Sequence, residues 1–212
     1  MKKDFLKKLD SELKSTEISD PIVQVGDPIL RQTAKEVDLS LIDGVGLAND
    51  IQYMKSALEQ ESYDGVALAA PQVGISKRIF IVAGRVFSRD EDETEPEAVA
   101  YINPVIIKHS SKQLPMDEGC LSVRMVYGTV KRYTNVTISY YDEKGVKHER
   151  GAGGLLAHIF QHEIDHLDGI LFIDKTQSQE TLSGKDRKEY LRKRQLHQEE
   201  LQEESRSRTD SK

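Results

Sequence analysis

The sequence predicts an α+β fold, on three observations. Residues 153–167 space Leu155, Leu156, Ile159, Phe160, Ile164 and Leu167 so that little of a helix surface stays polar, the pattern of a largely buried helix. Within it, His162, Glu163 and His166 form an H-E-x-x-H pattern, which puts two imidazoles one turn apart on one face. Short β-rich runs bounded by turn residues precede it, at 78–83, 101–107, 136–141 and 146–150. Polar groups on a buried helix are costly unless they are engaged, and a metal ion held by the two histidines would engage them. Alone, the pattern also fits a surface helix with two solvated histidines.

The other elements follow in order. Residues 4–14 place Phe5, Leu6, Leu9 and Leu13 at helical spacing between lysines, so 1–20 reads as an N-terminal helical extension. Pro21 ends it, and residues 22–25 read as a short strand entering the turn Gly26-Asp27-Pro28. Leu47, Ile51, Met54 and Leu58 mark one face of a helix over 44–62. After Gly65 the texture turns small and apolar, suited to a ligand-binding edge, and the acidic run 90–97 reads as an exposed loop. The turn Asp142-Glu143-Lys144-Gly145 joins the last two β-rich runs, and Gly169 suits the left-handed residue that ends the metal-motif helix. Beyond Asp174 the chain is polar and charged, without a β-pattern. The division expected is therefore an extension over 1–20, a catalytic domain over 21–175 and a charged tail over 176–212.

The 212 residues carry a net charge of −6, and with the two ends set aside residues 21–175 hold 16 basic and 23 acidic side chains. An acidic body argues against a nucleic-acid binder. Cys120 is the only cysteine, which excludes an intramolecular disulfide and suits a reducing compartment. No apolar run approaches the length of a membrane span, and the first residues lack the apolar stretch of a signal peptide, so a cytoplasmic protein is expected.

A catalytic metal normally takes three protein ligands and keeps a position for water, so the helix pair needs one more. Cys120 is the best candidate. A lone cysteine is ordinarily a small core hydrophobe, but this one follows Gly119, which lets the backbone come close, and precedes residues that read as a strand. Three stretches then stand in order: Gly65-Val66-Ala67-Leu68-Ala69-Ala70-Pro71-Gln72, Glu118-Gly119-Cys120-Leu121-Ser122, and Gln161-His162-Glu163-Ile164-Asp165-His166-Leu167-Asp168-Gly169. Together they resemble the three signature motifs of the peptide deformylases, metal hydrolases that remove the formyl group from the initiator methionine of new proteins. The resemblance runs over roughly residues 22–174.

It implies mixed or antiparallel sheets around a central metal-binding helix. It implies Cys120, His162 and His166 as metal ligands, Glu163 as acid and base, and the Gln72 amide with the Leu121 N–H as oxyanion donors. Val66 and Ala67 would line the strand that the peptide pairs with, while Met116, Leu155, His158 and Ile159 would shape the methionine pocket. The working metal would be Fe²⁺, with Zn²⁺ or Ni²⁺ as substitutes, and the substrate an N-formyl-methionyl nascent peptide. Thiolate and imidazole by themselves suit several divalent metals.

His158 extends the histidines into a row, but three successive turns drift by about 80°, so it reads as a pocket or packing residue. Asp165 reads as an ion-pair partner, with Arg132 the candidate. Two departures from the family pattern bear on efficiency: Ala67 where glycine is usual, and the segment 124–131. They leave a catalytically weakened, peptide-binding paralogue as the alternative. The basic segment from Lys185 to Arg194 holds six basic and two acidic residues; it reads first as part of a solvated, partly disordered tail, with a helix contacting ribosomal RNA as the alternative that the resemblance offers.

Overall fold

A computed structural model describes residues 20–62, 64–88, 96–176, 178–193 and 196. The N-terminal helix expected over 1–20 and most of the acidic run lie outside them. Apolar spacing builds helix α1 (Val45–Gln60), which buries Leu47, Ile51, Met54 and Leu58 as its four-three-four pattern requires. Strands β1 (Ala67–Ala69), β2 (Ile79–Val82), β3 (Val99–His109), β6 (Asn135–Tyr141) and β7 (Lys147–Gly153) form one antiparallel sheet in the order β1-β2-β3-β6-β7. Strands β4 (Gln113–Glu118), β5 (Val126–Tyr133) and β8 (Ser178–Thr181) form a second, in the order β4-β5-β8.

Helix α2 (Gly154–Leu167) carries the H-E-x-x-H residues and contacts β1, β2, β3, β5, β6 and β7, so it touches both sheets. Nine of its residues are buried, from Ala157 to Leu167, in accord with its apolar sequence. Phe160 anchors it, with its ring 5.1 Å from that of Tyr101 and 5.8 Å from that of Phe80. Burying such a ring contributes about 1.5–3 kcal/mol. The helix stops at Gly169, whose φ of +74° favours glycine and where a Cβ would lie 2.8 Å from the Arg31 backbone. At that end Arg78 donates to the Leu167 carbonyl and to Asp168, a cation at the negative end of the helix dipole.

Three apolar clusters hold these parts together. One lies between α1 and the first sheet, and another between that sheet and α2. The third gathers Leu30, Val123, Met125, Val126, Leu171 and Phe172 beneath the second sheet, with α3 (Phe172–Lys175) closing it.

Three local expectations are corrected. Residues 22–25 form no strand; they are extended backbone held by Val23 N–H on the Gln72 carbonyl and Val25 N–H on the Ser122 carbonyl, each 2.8 Å. The residues after Cys120 form turns, and the strand comes before it, because 121–125 must fold back from β4 into β5. The segment after Asp174 does contain a strand: β8 pairs antiparallel with β5, joining Val126 to Thr181 and Thr129 to Ser178. No helix among the described residues is long and apolar enough to cross a membrane.

Candidate active site

Strand β4 delivers Cys120 from one side and α2 delivers His162 and His166 from the other. Their donor atoms all lie within 4.8 Å of one another, and no other such cluster of His, Cys, Asp or Glu occurs among the described residues. Cys120 Sγ is 3.2 Å from His166 Nε2. Gly119 and Gly65 make the approach possible: a Cβ at Gly119 would fall 2.9 Å from the Tyr127 ring, and one at Gly65 would fall 2.7 Å from a Leu121 methyl.

Glu118 orients this group. One carboxylate oxygen accepts from His162 Nδ1 and the other from His158 Nε2, each at 2.8 Å. The bond to Nδ1 leaves the other His162 nitrogen for a metal, the usual arrangement of a ligating histidine on a carboxylate. Arg132 bridges Glu118, at 2.6 and 3.0 Å, to Asp165 at 2.6 Å, and Lys175 adds a second cation on Asp165. Burial opposes the charge of Glu118, but the hydrogen bonds from His158, His162 and Arg132 outweigh it and hold its carboxyl far below the usual range. The expected pairing of Asp165 with Arg132 is present. His158 lies outside the ligand group, bonded to Glu118 and lining the cavity.

Glu163 is buried beside the donors, and burial pushes its carboxyl up to about 7, with the Glu118 charge reinforcing the shift and the His162 and Arg132 charges opposing it. Burial, reinforced by the charge of His162, holds His166 well below its ordinary value and so in the neutral form that ligates metals. Burial also disfavours charge on His162, yet its bonds to Cys120 and Glu118 raise it. Glu163 Oε2 and His166 Nδ1 are buried with no hydrogen-bond partner. Unpaired buried groups of this kind are costly in a purely structural cluster, and together with a Cys-His-His donor set they fit a divalent metal and the water it activates.

Gln72 is fixed at both ends of its amide. Its Oε1 accepts from Ala69 N–H at 2.8 Å, and its Nε2 donates to Ser122 Oγ at 3.2 Å and lies 3.5 Å from Cys120 Sγ. Leu121 follows Cys120 in the turn, and its carbonyl accepts from Gln24.

A cavity of about 390 Å³ opens from the donors. Val66, Ala67, Gln72, Cys120, Leu121, Leu155, His158, Ile159, His162 and Glu163 line it, which brings together nearly every residue singled out from sequence. His166, the third member of the donor group, is not in the lining. Met116 is not in the lining; it stands on β4 opposite Val130, two residues short of Glu118. Sequence reasoning did not assign roles to Glu118, Asp64, Arg124 or Tyr190, which also border the cavity. Glu118 carried a signal, as a carboxylate inside a motif beside the cysteine, whereas the others come together only through tertiary packing.

The two departures have structural accounts. Ala67 lies in β1 opposite Val82, with its methyl in the cluster beneath α2, and among the described non-glycine residues only Asn103 and Met125 have positive φ. Alanine therefore needs no strained backbone there. In the segment 124–131, Arg124 is fully buried between Glu61 (2.8 Å) and Asp20 (3.0 Å), and Val126 begins β5.

Comparison with known proteins agrees with this geometry. The family model described as polypeptide deformylase matches residues 19–182. The peptide deformylase of Thermosynechococcus vestitus is 42% identical over 160 residues, covering 74% of this chain and 79% of that protein. That of Flavobacterium psychrophilum is 40% identical over 163 residues, covering 73% and 81%. A crystal structure of class I type b peptide deformylase from Acinetobacter baumannii, with Met-Ala-Ser bound, superposes with a TM-score of 0.65 at 37% identity, covering 75% of this chain and all of that one. An actinonin complex of a Synechococcus elongatus peptide deformylase gives 0.64 at 37% identity, covering 77% and 83%.

Proposed function

The chain belongs to the polypeptide deformylase family, and from that premise we propose that it is a metal-dependent hydrolase releasing formate from N-formyl-methionyl nascent peptides. The observation that carries the reading is the Cys120, His162 and His166 donor set within 4.8 Å, beside the buried, unpaired Oε2 of Glu163. These three residues would hold the metal. When bound, it would supply Lewis acidity that polarises the formyl carbonyl and brings water toward hydroxide at neutral pH.

The chain's own groups would do the rest. Glu163, held near neutrality, accepts the proton of the attacking water at a carboxylate oxygen and passes it to the departing amine. Gln72 Nε2 donates to the developing oxyanion, pre-aimed by the Ala69 and Ser122 bonds, with Leu121 N–H as the second donor. The peptide enters between two sheet edges. β1 ends the first sheet and β4 ends the second, so the segment of Val66 and Ala67 offers an open strand edge for an extended substrate to join. Leu155, His158 and Ile159 receive the methionine side chain.

Fe²⁺ is the proposed resident metal, with Zn²⁺ or Ni²⁺ as substitutes, and the cytoplasm is the proposed location, in keeping with a single unpaired thiol. The catalytic core is taken as residues 21–175. Contact with ribosomal RNA through the segment from Lys185 to Arg194 rests on the exposure of Lys185, Lys188, Arg192 and Lys193, and cosedimentation with ribosomes of the full chain and of one ending at Asp174 tests it.

Anaerobic preparation, metal analysis and formate release from formyl-Met-Ala-Ser test the main reading together. The expected result is one metal ion per chain and activity that chelation abolishes; formate release that survives chelation overturns it. In the same assay Ala67→Gly should change kcat/KM by less than about threefold while costing about 0.5–1 kcal/mol of stability, because glycine weakens a strand interior. A large gain in activity would instead revive the weakened paralogue.

A further inference from the structure

The methionine pocket and the metal donors account for only part of the cavity lining. Asp64, Gly65, Arg124, Met125, Tyr127 and Tyr190 also border it. Tyr190 comes from the helical residues 184–193, beyond the span matched by the family model.

That stretch is tied to the body in three ways. β8 pairs with β5, and Leu182 N–H donates to the Met125 carbonyl at 2.9 Å. Leu182, Tyr190 and Leu191 pack on the cluster of Val123, Met125 and Val126. Tyr190 Oη donates to Asp64 Oδ2 at 2.7 Å, one residue before the glycine that opens the β1 motif. Tyr190 therefore reaches from the tail to the start of the strand on which the substrate would lie. Tyr127 also borders the cavity, with its ring over Gly119 beside Cys120 and 41% of the residue exposed.

We propose that Tyr190, with Tyr127, is a specificity-determining residue that binds the side chains following formylmethionine, and that it selects peptides with an aromatic or long aliphatic residue at the second or third position. The proposal rests on the deformylase reading. Its physical basis is that a tyrosine ring offers a large, rigid, amphipathic contact surface at low entropic cost, and two of them in one cavity lining favour planar or extended apolar partners over small ones. Arg124, a cation in the same lining, is fully buried and paired with Glu61 and Asp20, so the tyrosines rather than its charge present the contact surface. A contact made equally in the ground and transition states acts on KM rather than kcat, and that is the role assigned to Tyr190.

The experiment compares formylmethionine amide, formyl-Met-Ala-Ala and formyl-Met-Phe-Phe on the metal-loaded full chain. The unmodified enzyme should show its lowest KM with formyl-Met-Phe-Phe. Tyr190→Ala should raise that KM about tenfold, the scale of one lost aromatic contact, with kcat unchanged. Formylmethionine amide, which lacks the side chains that the proposal assigns to Tyr190, should be hydrolysed as before. Tyr190→Leu, which keeps an apolar side chain on the Met125 cluster, should give the same selective loss, whereas Tyr190→Phe should keep KM within about twofold because it retains the ring. Equal loss on all three substrates, or no loss on any, overturns the proposal. Absence of formate release by the unmodified chain from every substrate would instead overturn the deformylase reading, and this one with it.

Discussion

Glu163→Gln should lower kcat by about 10²–10⁴-fold, the range contributed by a positioned general acid and base, while metal content stays at one ion per chain. The glutamine keeps the shape of a side chain that is buried on all sides and adjacent to His162, so the donor set should remain assembled. What it removes is a proton acceptor whose carboxyl is tuned to about 7, close to the pH at which water must be deprotonated and an amine protonated. An amide can do neither. KM should move little, because in the proposed mechanism Glu163 acts on the reacting atoms, whereas β1 and the methionine pocket would hold the peptide. Steady-state kinetics with formyl-Met-Ala-Ser and metal analysis of the same sample give both numbers. Activity within tenfold of the unmodified enzyme, with metal bound, would remove Glu163 from the mechanism.

The contrast between what sequence revealed and what it hid follows from how local each interaction is. The metal-motif helix was legible because its periodicity and its ligand spacing belong to one contiguous stretch, and β2, β3 and β6 were legible as β-rich runs. β5 was not, although it alternates buried and exposed residues along its length. Its inward positions are Val126, Gly128, Val130 and Arg132, and a glycine and an arginine at core positions disguise the alternation. β4 contains Pro115 and is mostly exposed, and all four residues of β8 are exposed, so neither has an apolar face to read. They exist because β5 offers them hydrogen bonds. The same holds for the site. Cys120, His162 and His166 were found by motif, whereas the Glu118 and Arg132 bridge becomes visible only when β4 and β5 pair and set Glu118 opposite Gly128.

That bridge should be the costliest part of the site to break. Arg132→Met is expected to destabilise the fold by about 3–5 kcal/mol, since removing one partner strands a buried charge. Here the stranded groups are Glu118 and Asp165, both buried, of which Asp165 keeps Lys175 while Glu118 loses its cation. For a chain of this size the loss corresponds to a fall in Tm on the order of 10 °C. Function should suffer with stability, because Glu118 orients His162 through Nδ1, and losing such a supporting bond typically weakens metal binding by about 10–100-fold. The double change Arg132→Met with Glu118→Gln separates the two effects. It removes the uncompensated charge, so thermal denaturation should recover part of the lost stability, yet a neutral amide supports the histidine less well and metal affinity should stay low. A single Arg132→Met variant that melts and binds metal like the unmodified chain would mean that the buried bridge contributes to neither.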